Sequence, residues 1–257
     1  MNIAQAAFLF LAAVCGGALN SVAGGGSFIT LPALLFTGVR PVIANTTSTV
    51  ALWPGSVTSA IAYRKDIKQS PAFLFGLSVL SLVGGILGAL LLLITSDTLF
   101  IRLLPWLLLL ATLVFTFGNT LTARFLSPDK TPTGQLPSSI ALVLQFVIAI
   151  YGGYFGGGMG IMMLATYSLM GLTHIHAMNG LKSLLGAMIN GVAVLSFILA
   201  NAIAWGPGLV MVSGSMMGGY GGAVLAQRID PKQVRQFVTV IAWGMTTYFF
   251  VKTYARF

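Results

Sequence analysis

Apolar residues run through this chain in long blocks, and the polar stretches between them are few and short. A helix needs about 20 mostly apolar residues to cross roughly 30 Å of hydrocarbon. Eight blocks are of that order: 3–22, 41–63, 71–94, 103–121, 138–155, 175–200, 206–226 and 236–254. Two more, 27–37 (SFITLPALLFT) and 160–171 (GIMMLATYSLMG), are too short. At 1.5 Å per residue each covers roughly 18 Å, about half a bilayer. Each short block follows a glycine cluster, Gly24-Gly25-Gly26 in one case and Gly156-Gly157-Gly158 in the other. The sizeable polar connection, 122–137 (TARFLSPDKTPTGQLP), reads as a loop between two halves, 1–121 and 138–257. The pattern predicts an all-α, polytopic transmembrane protein, each half holding four long helices and one half-length helix.

The halves are related. An ungapped shift of 133 positions lays Gly24 and Gly25 on Gly157 and Gly158, Gly38 on Gly171, Ala44 on Ala177, Gly85 on Gly218 and Gly88 on Gly221. It also lays Asp97 on Asp230 and Arg102 on Arg235. Rare charges and glycine pairs that keep one offset from residue 24 to residue 102 point to an internal duplication. If the short segments cross, each half has five spans and the copies face opposite ways. Arg64, Lys65, Lys68, Arg124, Lys130, Arg228, Lys232 and Arg235 then fall on one side, against Arg40, Arg102, Lys252 and Arg256 on the other. Eight against four obeys the positive-inside bias with both termini outside the cytoplasm. If the short segments dip in and return, the count is seven against five, so the inverted arrangement is preferred.

Composition agrees. The 257 residues are 57% apolar and 7% charged, with no Glu and a mean hydropathy of +0.95. A soluble domain carries about 25% charged residues, so a soluble enzyme, a nucleic-acid reader and a disordered tail are excluded. The 13 Lys and Arg sit singly between apolar runs and act as topology signals; the expected partner is the lipid bilayer, and no nucleic acid. Cys15 is the one cysteine, which excludes a disulfide framework and a multi-cysteine metal site. Residues 1–10 lack Lys and Arg, so the first apolar block reads as a retained helix and not a cleaved signal. The oligomeric state is not legible here.

Glycine-interrupted short segments in matching positions of two halves are the sequence pointer to a transporter's binding site. A broken helix leaves backbone N–H groups without intrahelical partners, carrying partial positive charge at a helix N-terminus. In hydrocarbon such groups are tolerated only where protein or a water-filled cavity satisfies them. Two facing breaks would make a donor-rich, desolvated site for a small oxyanion. The glycines concerned are Gly24, Gly25 and Gly26, then Gly157 and Gly158, with Ser27 next to the first set. The plainer reading is that they let helices pack closely.

After each break comes a polar run: Asn45-Thr46-Thr47-Ser48-Thr49 in the first half, and Asn179, Lys182 and Ser183 in the second, with Asn190 beyond. These hydroxyls and amides can donate to a ligand, or bond back to their own helix. Lys182 lies about seven residues inside an apolar segment, where a charge costs several kcal/mol unless water, a partner or a ligand compensates. Asp66, Asp97, Asp129 and Asp230 all sit in connections, so the residue reads as an anion contact; snorkelling to the surface is the alternative. His174 and His176 begin the same segment. Two histidines without a carboxylate or thiolate make an incomplete metal site, so no metal and no cofactor is expected. A gating or proton-linked role near neutral pH stands beside a structural one. With no carboxylate in an apolar stretch, a carboxylate relay for proton or sodium coupling is absent. An inside-negative potential drives anion exit by about 2.3 kcal/mol per charge per 100 mV, so export needs no coupling ion.

The stretch AGGGSFITLPALLFTGVRPVIANTTSTV, its second copy FGGGMGIMMLATYSLMGLTHIHAMNGLKS and the overall length resemble the sulfite exporter TauE/SafE family, also called the toluene-sulfonate uptake permeases. The resemblance covers nearly the whole chain. It implies a multi-pass permease moving sulfite, sulfoacetate or related organosulfur anions across a bacterial inner membrane, more often outward. The second copy departs from the first at Met159, where the first has Gly26, and at Ala165, where it has Pro32.

The expected protein is therefore a transporter of small sulfur-containing anions. Its site lies between the two breaks, lined by Asn45 to Thr49, Asn179, Lys182 and Ser183, and it works by alternating access with the breaks as hinges or gates. Rival readings are an anion channel, an uptake permease for a different small anion, a metal-cation transporter, and an intramembrane hydrolase using Ser27 or Ser215 with a histidine. Scarce acidic ligands oppose the cation reading. The absence of a carboxylate to orient a histidine opposes the hydrolase.

Overall fold

The structure is a computed structural model, and it describes residues 1–23, 25–62, 64, 70–125, 138–170, 172, 174–226 and 231–254. Among these residues the chain forms ten helices and no strand. They are α1 (Ile3–Ala23), α2 (Ser27–Phe36), α3 (Pro41–Ala62), α4 (Pro71–Ile94), α5 (Asp97–Phe125), α6 (Ser138–Tyr154), α7 (Met159–Leu169), α8 (Ile175–Leu199), α9 (Trp205–Ala226) and α10 (Pro231–Tyr254). The eight long blocks of the sequence are α1, α3, α4, α5, α6, α8, α9 and α10. The two short blocks are α2 and α7, of 10 and 11 residues.

Two helices outrun their apolar blocks. α5 starts at Asp97 and α10 at Pro231, each several residues before the hydrophobic run, because an interfacial first turn accepts residues that hydrocarbon excludes. Asp97 also sits where its carboxylate Oδ1 accepts the Val42 N–H at 2.9 Å, an anion at the positive end of α3. α5 further extends to Phe125, so the start of the 122–137 connection is helical and 126–137 lies outside the described residues.

The packing follows the repeat offset. Shifted by 133, the first five helices begin within two residues of the last five; Ser27, for example, lands on Gly160, one past the start of α7. α1 packs along α9 as α6 packs along α4, and α3 meets α9 as α8 meets α4. α3 with α8, and α5 with α10, are helices meeting their own counterparts. Helices on either side of the 122–137 connection thus pack against one another along small-residue faces.

Those faces carry the tightest seams. Lipid tails are as apolar as leucine, so helices associate in a membrane through close backbone approach at small residues. On α9, Gly218 rests on the carbonyl of Val14, where a Cβ would collide. Gly88 of α4 rests in the same way on the carbonyl of Ile150. The opposite face of α4 exposes Val83, Ile86, Leu87, Leu90, Leu91 and Ile94, while Gly84, Gly85, Gly88 and Ala89 are buried. Small residues inside and large apolar ones outside invert the soluble pattern and fit a lipid environment. Among the described residues four helices are long and apolar enough to cross a membrane: Ile3–Asn20, Pro71–Ile94, Asp97–Val114 and Ala177–Leu199. The chain is a multi-pass membrane protein.

Gly218→Ala forces the α1–α9 seam apart and should cost about 1–3 kcal/mol, read as a lower melting temperature in detergent. Gly244→Ala, where a Cβ meets nothing within 4 Å, should leave melting unchanged or raise it. Equal melting of the two variants would contradict the close-packed seam.

Candidate functional site

The two breaks are built differently. α7 begins after Gly156 and Gly158, with φ of +79° and +76°, a left-handed conformation that side chains resist. α2 begins after Gly26 in right-handed geometry (φ −57°, ψ −34°). The break glycines themselves are packed. A Cβ on Gly26 would lie 2.5 Å from the Gly16 carbonyl oxygen, and one on Gly158 would lie 3.2 Å from Ala111. Gly157 is buried, and its carbonyl accepts the Tyr151 hydroxyl at 2.6 Å. Gly25 is buried as well, and Gly24 lies outside the described residues.

What the breaks present to open space are the residues just beyond them. A partly open cavity of about 140 Å³ is lined by Asn20, Ser27, Thr49, Ser56, Ser59, Asn179, Lys182, Ser183 and Asn190 on its polar side. Leu52, Phe155, Gly156, Met159, Gly160 and Gly186 complete it. One water needs about 10–15 Å³ of such space, so a small solute fits. Ser27 opens α2 and Gly160 lies in the first turn of α7, positions whose N–H groups have no intrahelical acceptor. The half-buried Lys182 drapes its aliphatic stem over Gly160, whose Cβ position is 3.2 Å from the lysine Cδ. An ammonium and two helix starts, all electropositive, thus share one space, and no Asp or Glu is among the described residues that line it.

Of the residues expected at the site, the structure brings Ser27, Thr49, Asn179, Lys182 and Ser183 together. It places the rest of the polar run elsewhere. Asn45 Nδ2 donates to the Tyr154 carbonyl at 2.9 Å, Thr46 Oγ1 donates to the carbonyls of Ile43 and Ala202, and Thr47 Oγ1 accepts the Ala204 N–H at 3.0 Å. Ser48 Oγ and Thr30 Oγ1 share a 2.6 Å bond that ties α3 to α2. His174 is exposed at the start of α8 and does not line the cavity. The side chain of His176 lies outside the described residues. Among the described residues no three His, Cys, Asp or Glu side chains cluster as metal ligands.

The lining also includes polar residues that the sequence reading passed over: Asn20, Ser56 and Ser59. Helical spacing was the available signal. Thr49, Leu52, Ser56 and Ser59 follow at steps of three and four and share one face of α3, and Asn179, Lys182 or Ser183, Gly186 and Asn190 do the same on α8.

Such a site, on elements that follow a 133-residue repeat, has a match among known sequences. The family model described as Sulfite exporter TauE/SafE matches residues 9–249. The chain belongs to the sulfite exporter TauE/SafE family. It is a membrane transporter of that family. A "Probable membrane transporter protein" of Haemophilus influenzae is 28% identical over 247 residues, covering 93% of this chain and 92% of that one. "Probable membrane transporter protein ORF9" of Sinorhizobium sp is 29% identical over 92% of this chain and 88% of its own. "Probable membrane transporter protein YfcA" of Escherichia coli K12 is 29% identical over 93% and 87%. No solved structure matches the chain. The TauE/SafE match covers both breaks and all five expected residues in the cavity.

The two groups of polar residues separate in experiment. Ser48→Ala removes a buried inter-helix bond and should lower stability by about 1 kcal/mol, measured as melting in detergent. Ser183→Ala should leave melting of the free protein unchanged. A Ser48→Ala protein as stable as wild type would deny the bond between α2 and α3 its structural role.

Proposed function

We propose that this TauE/SafE member moves a small sulfur-containing anion, such as sulfite, sulfoacetate or an organosulfonate, outward across a bacterial inner membrane by alternating access. The reading rests above all on the convergence of Lys182, Ser27 and Gly160 on a cavity with no carboxylate among its described lining residues. A lone ammonium in a membrane interior costs several kcal/mol, and a bound anion offsets that cost while accepting hydrogen bonds from the surrounding donors. Asn20, Asn179 and Asn190 supply amide N–H groups, and Thr49, Ser56, Ser59 and Ser183 supply hydroxyls. These neutral donors suit the several oxygens of a sulfur oxyanion.

Charge bias supports the outward direction. We read residues 1–121 and 138–257 as inverted halves joined by 122–137. The cavity lies toward the end of α3 that leads into Arg64, Lys65 and Lys68, the cytoplasmic side by charge bias. Substrate would load from inside and leave down an inside-negative potential. A carrier is favoured over a channel because the far end of the α3–α8 pair is closed by the bonds of Asn45, Thr46 and Thr47.

Sulfite flux into or out of proteoliposomes tests the reading. Lys182→Ala should lower it by roughly ten- to a hundredfold, the loss expected for a charge-assisted hydrogen bond of about 1.5–3 kcal/mol. Lys182→Arg should retain part of it. Unchanged flux in Lys182→Ala removes the lysine from the site.

A further inference from the structure

α3 and α8 run antiparallel. Thr46 meets Ala202 near one end of the pair, and Trp53 Nε1 donates to the Ala187 carbonyl at 3.1 Å in the middle. Gly191 fits beneath the Trp53 ring, its Cβ position 3.3 Å from Nε1. Beyond that level, Ser56 and Ser59 of α3 face the cavity with Asn179 and Ser183 of α8.

These two helices are each other's counterparts under the 133-residue offset, so the two ends of the pair are equivalent in sequence position. They are not equivalent in structure. Thr46 corresponds to Asn179; the threonine is buried and bonded to Ala202, whereas the asparagine lines open space. Ser27 and Gly160 correspond, as do Thr49 and Lys182, and all four line the cavity. The cavity therefore sits where the halves meet, opened at one of two equivalent ends.

From this asymmetry we infer that Asn45, Thr46 and Thr47 of α3, closed on Tyr154 and on the 202–204 connection, form the shut gate of the transporter. The inference rests on the alternating-access reading above and names its moving contact. Asn45 holds the carbonyl of Tyr154, the last residue of α6 before the Gly156–Gly158 break, so the gate and the second break share a bond. Thr47 anchors the N–H of Ala204 just before α9, and Gly208 packs against its methyl, with a Cβ position 3.3 Å from Cγ2. Opening the far side requires these bonds to release together, and closing the near side requires Asn179 and its neighbours to leave the cavity. The polar run of α3 thus acts on access, while the ligand meets Thr49 at its last position.

Two variants test the gate. In a Cys15→Ser chain carrying Ser56→Cys as reporter, an impermeant thiol reagent should reach the cavity from the near face of sealed vesicles and scarcely from the far face. Adding Thr46→Val and Thr47→Val removes the gate hydroxyls at constant shape and should raise far-face labelling roughly tenfold. Far-face labelling that stays at the parent rate, in protein still labelled from the near face, overturns the gate. This readout needs no substrate, so it stands apart from a failure of the anion assignment, which flux and Lys182 report. If the double valine variant does not fold, Thr47→Cys with Ala204→Cys in the Cys15→Ser chain gives the opposite perturbation. Oxidation should abolish flux, and reductant should restore it. A cross-linked protein that still transports contradicts the proposal.

Discussion

Hydrocarbon supplies no hydrogen bonds, so each backbone group inside a membrane must be satisfied by protein or by water in a cavity. Everything specific to this fold follows from where the chain breaks that rule's easiest solution. The long helices keep most of their backbone bonds, α3 and α5 each giving one up at Pro54 and Pro105, while α2 and α7 start at Ser27 and Met159. Carbonyls of the break glycines take up most of their first-turn N–H groups, from Phe28, Ile29, Met159 and Ile161, while Ser27 and Gly160 line the polar cavity. The lysine draws the conclusion further. Lys182 sits over Gly160, and no carboxylate is among the described residues of the cavity wall, so the cationic side chain faces neutral donors there.

The helix order and contacts keep the 133-residue offset without making the two stretches equal. α1–α9 and α4–α6 are equivalent seams, and both depend on glycine beneath a facing carbonyl, Gly218 on Val14 and Gly88 on Ile150. At the cavity the equivalence fails chemically. Thr49 stands where Lys182 stands, and Ser27 where Gly160 stands, so one half contributes hydroxyls and the other the charge and the room for its stem. It fails conformationally too, because the α3–α8 pair is bonded shut near Thr46 and open near Asn179.

Most of the architecture was legible in the chain. Apolar blocks located the helices because lipid imposes one length scale on them, and the half-length blocks emerged as α2 and α7 because a span shorter than the bilayer cannot be mistaken for a full one. Helix starts were less legible: α5 and α10 begin before their apolar runs, where interfacial residues such as Asp97 continue the helix. The site was legible in part. Asn45 to Thr49 looked like one group, yet successive residues on a helix point about 100° apart, so five neighbours cannot all face one cavity. Thr49 does; Asn45, Thr46, Thr47 and Ser48 bond to Tyr154, Ala202, Ala204 and Thr30. Ser56, Ser59 and Asn20 were passed over because isolated polar residues in a membrane helix carry no signal until a face is defined.

The central claim is that one ammonium, set between two helix starts, holds the anion, and moving that charge across the repeat probes it most directly. Calorimetric titration of purified protein with sulfite should show binding in wild type, roughly ten- to a hundredfold weaker binding in Lys182→Thr, and partial recovery in Thr49→Lys/Lys182→Thr, which returns a lysine to the equivalent position. Wild-type affinity in Lys182→Thr would contradict the account, because the anion would then be held without the charge on which the site is built.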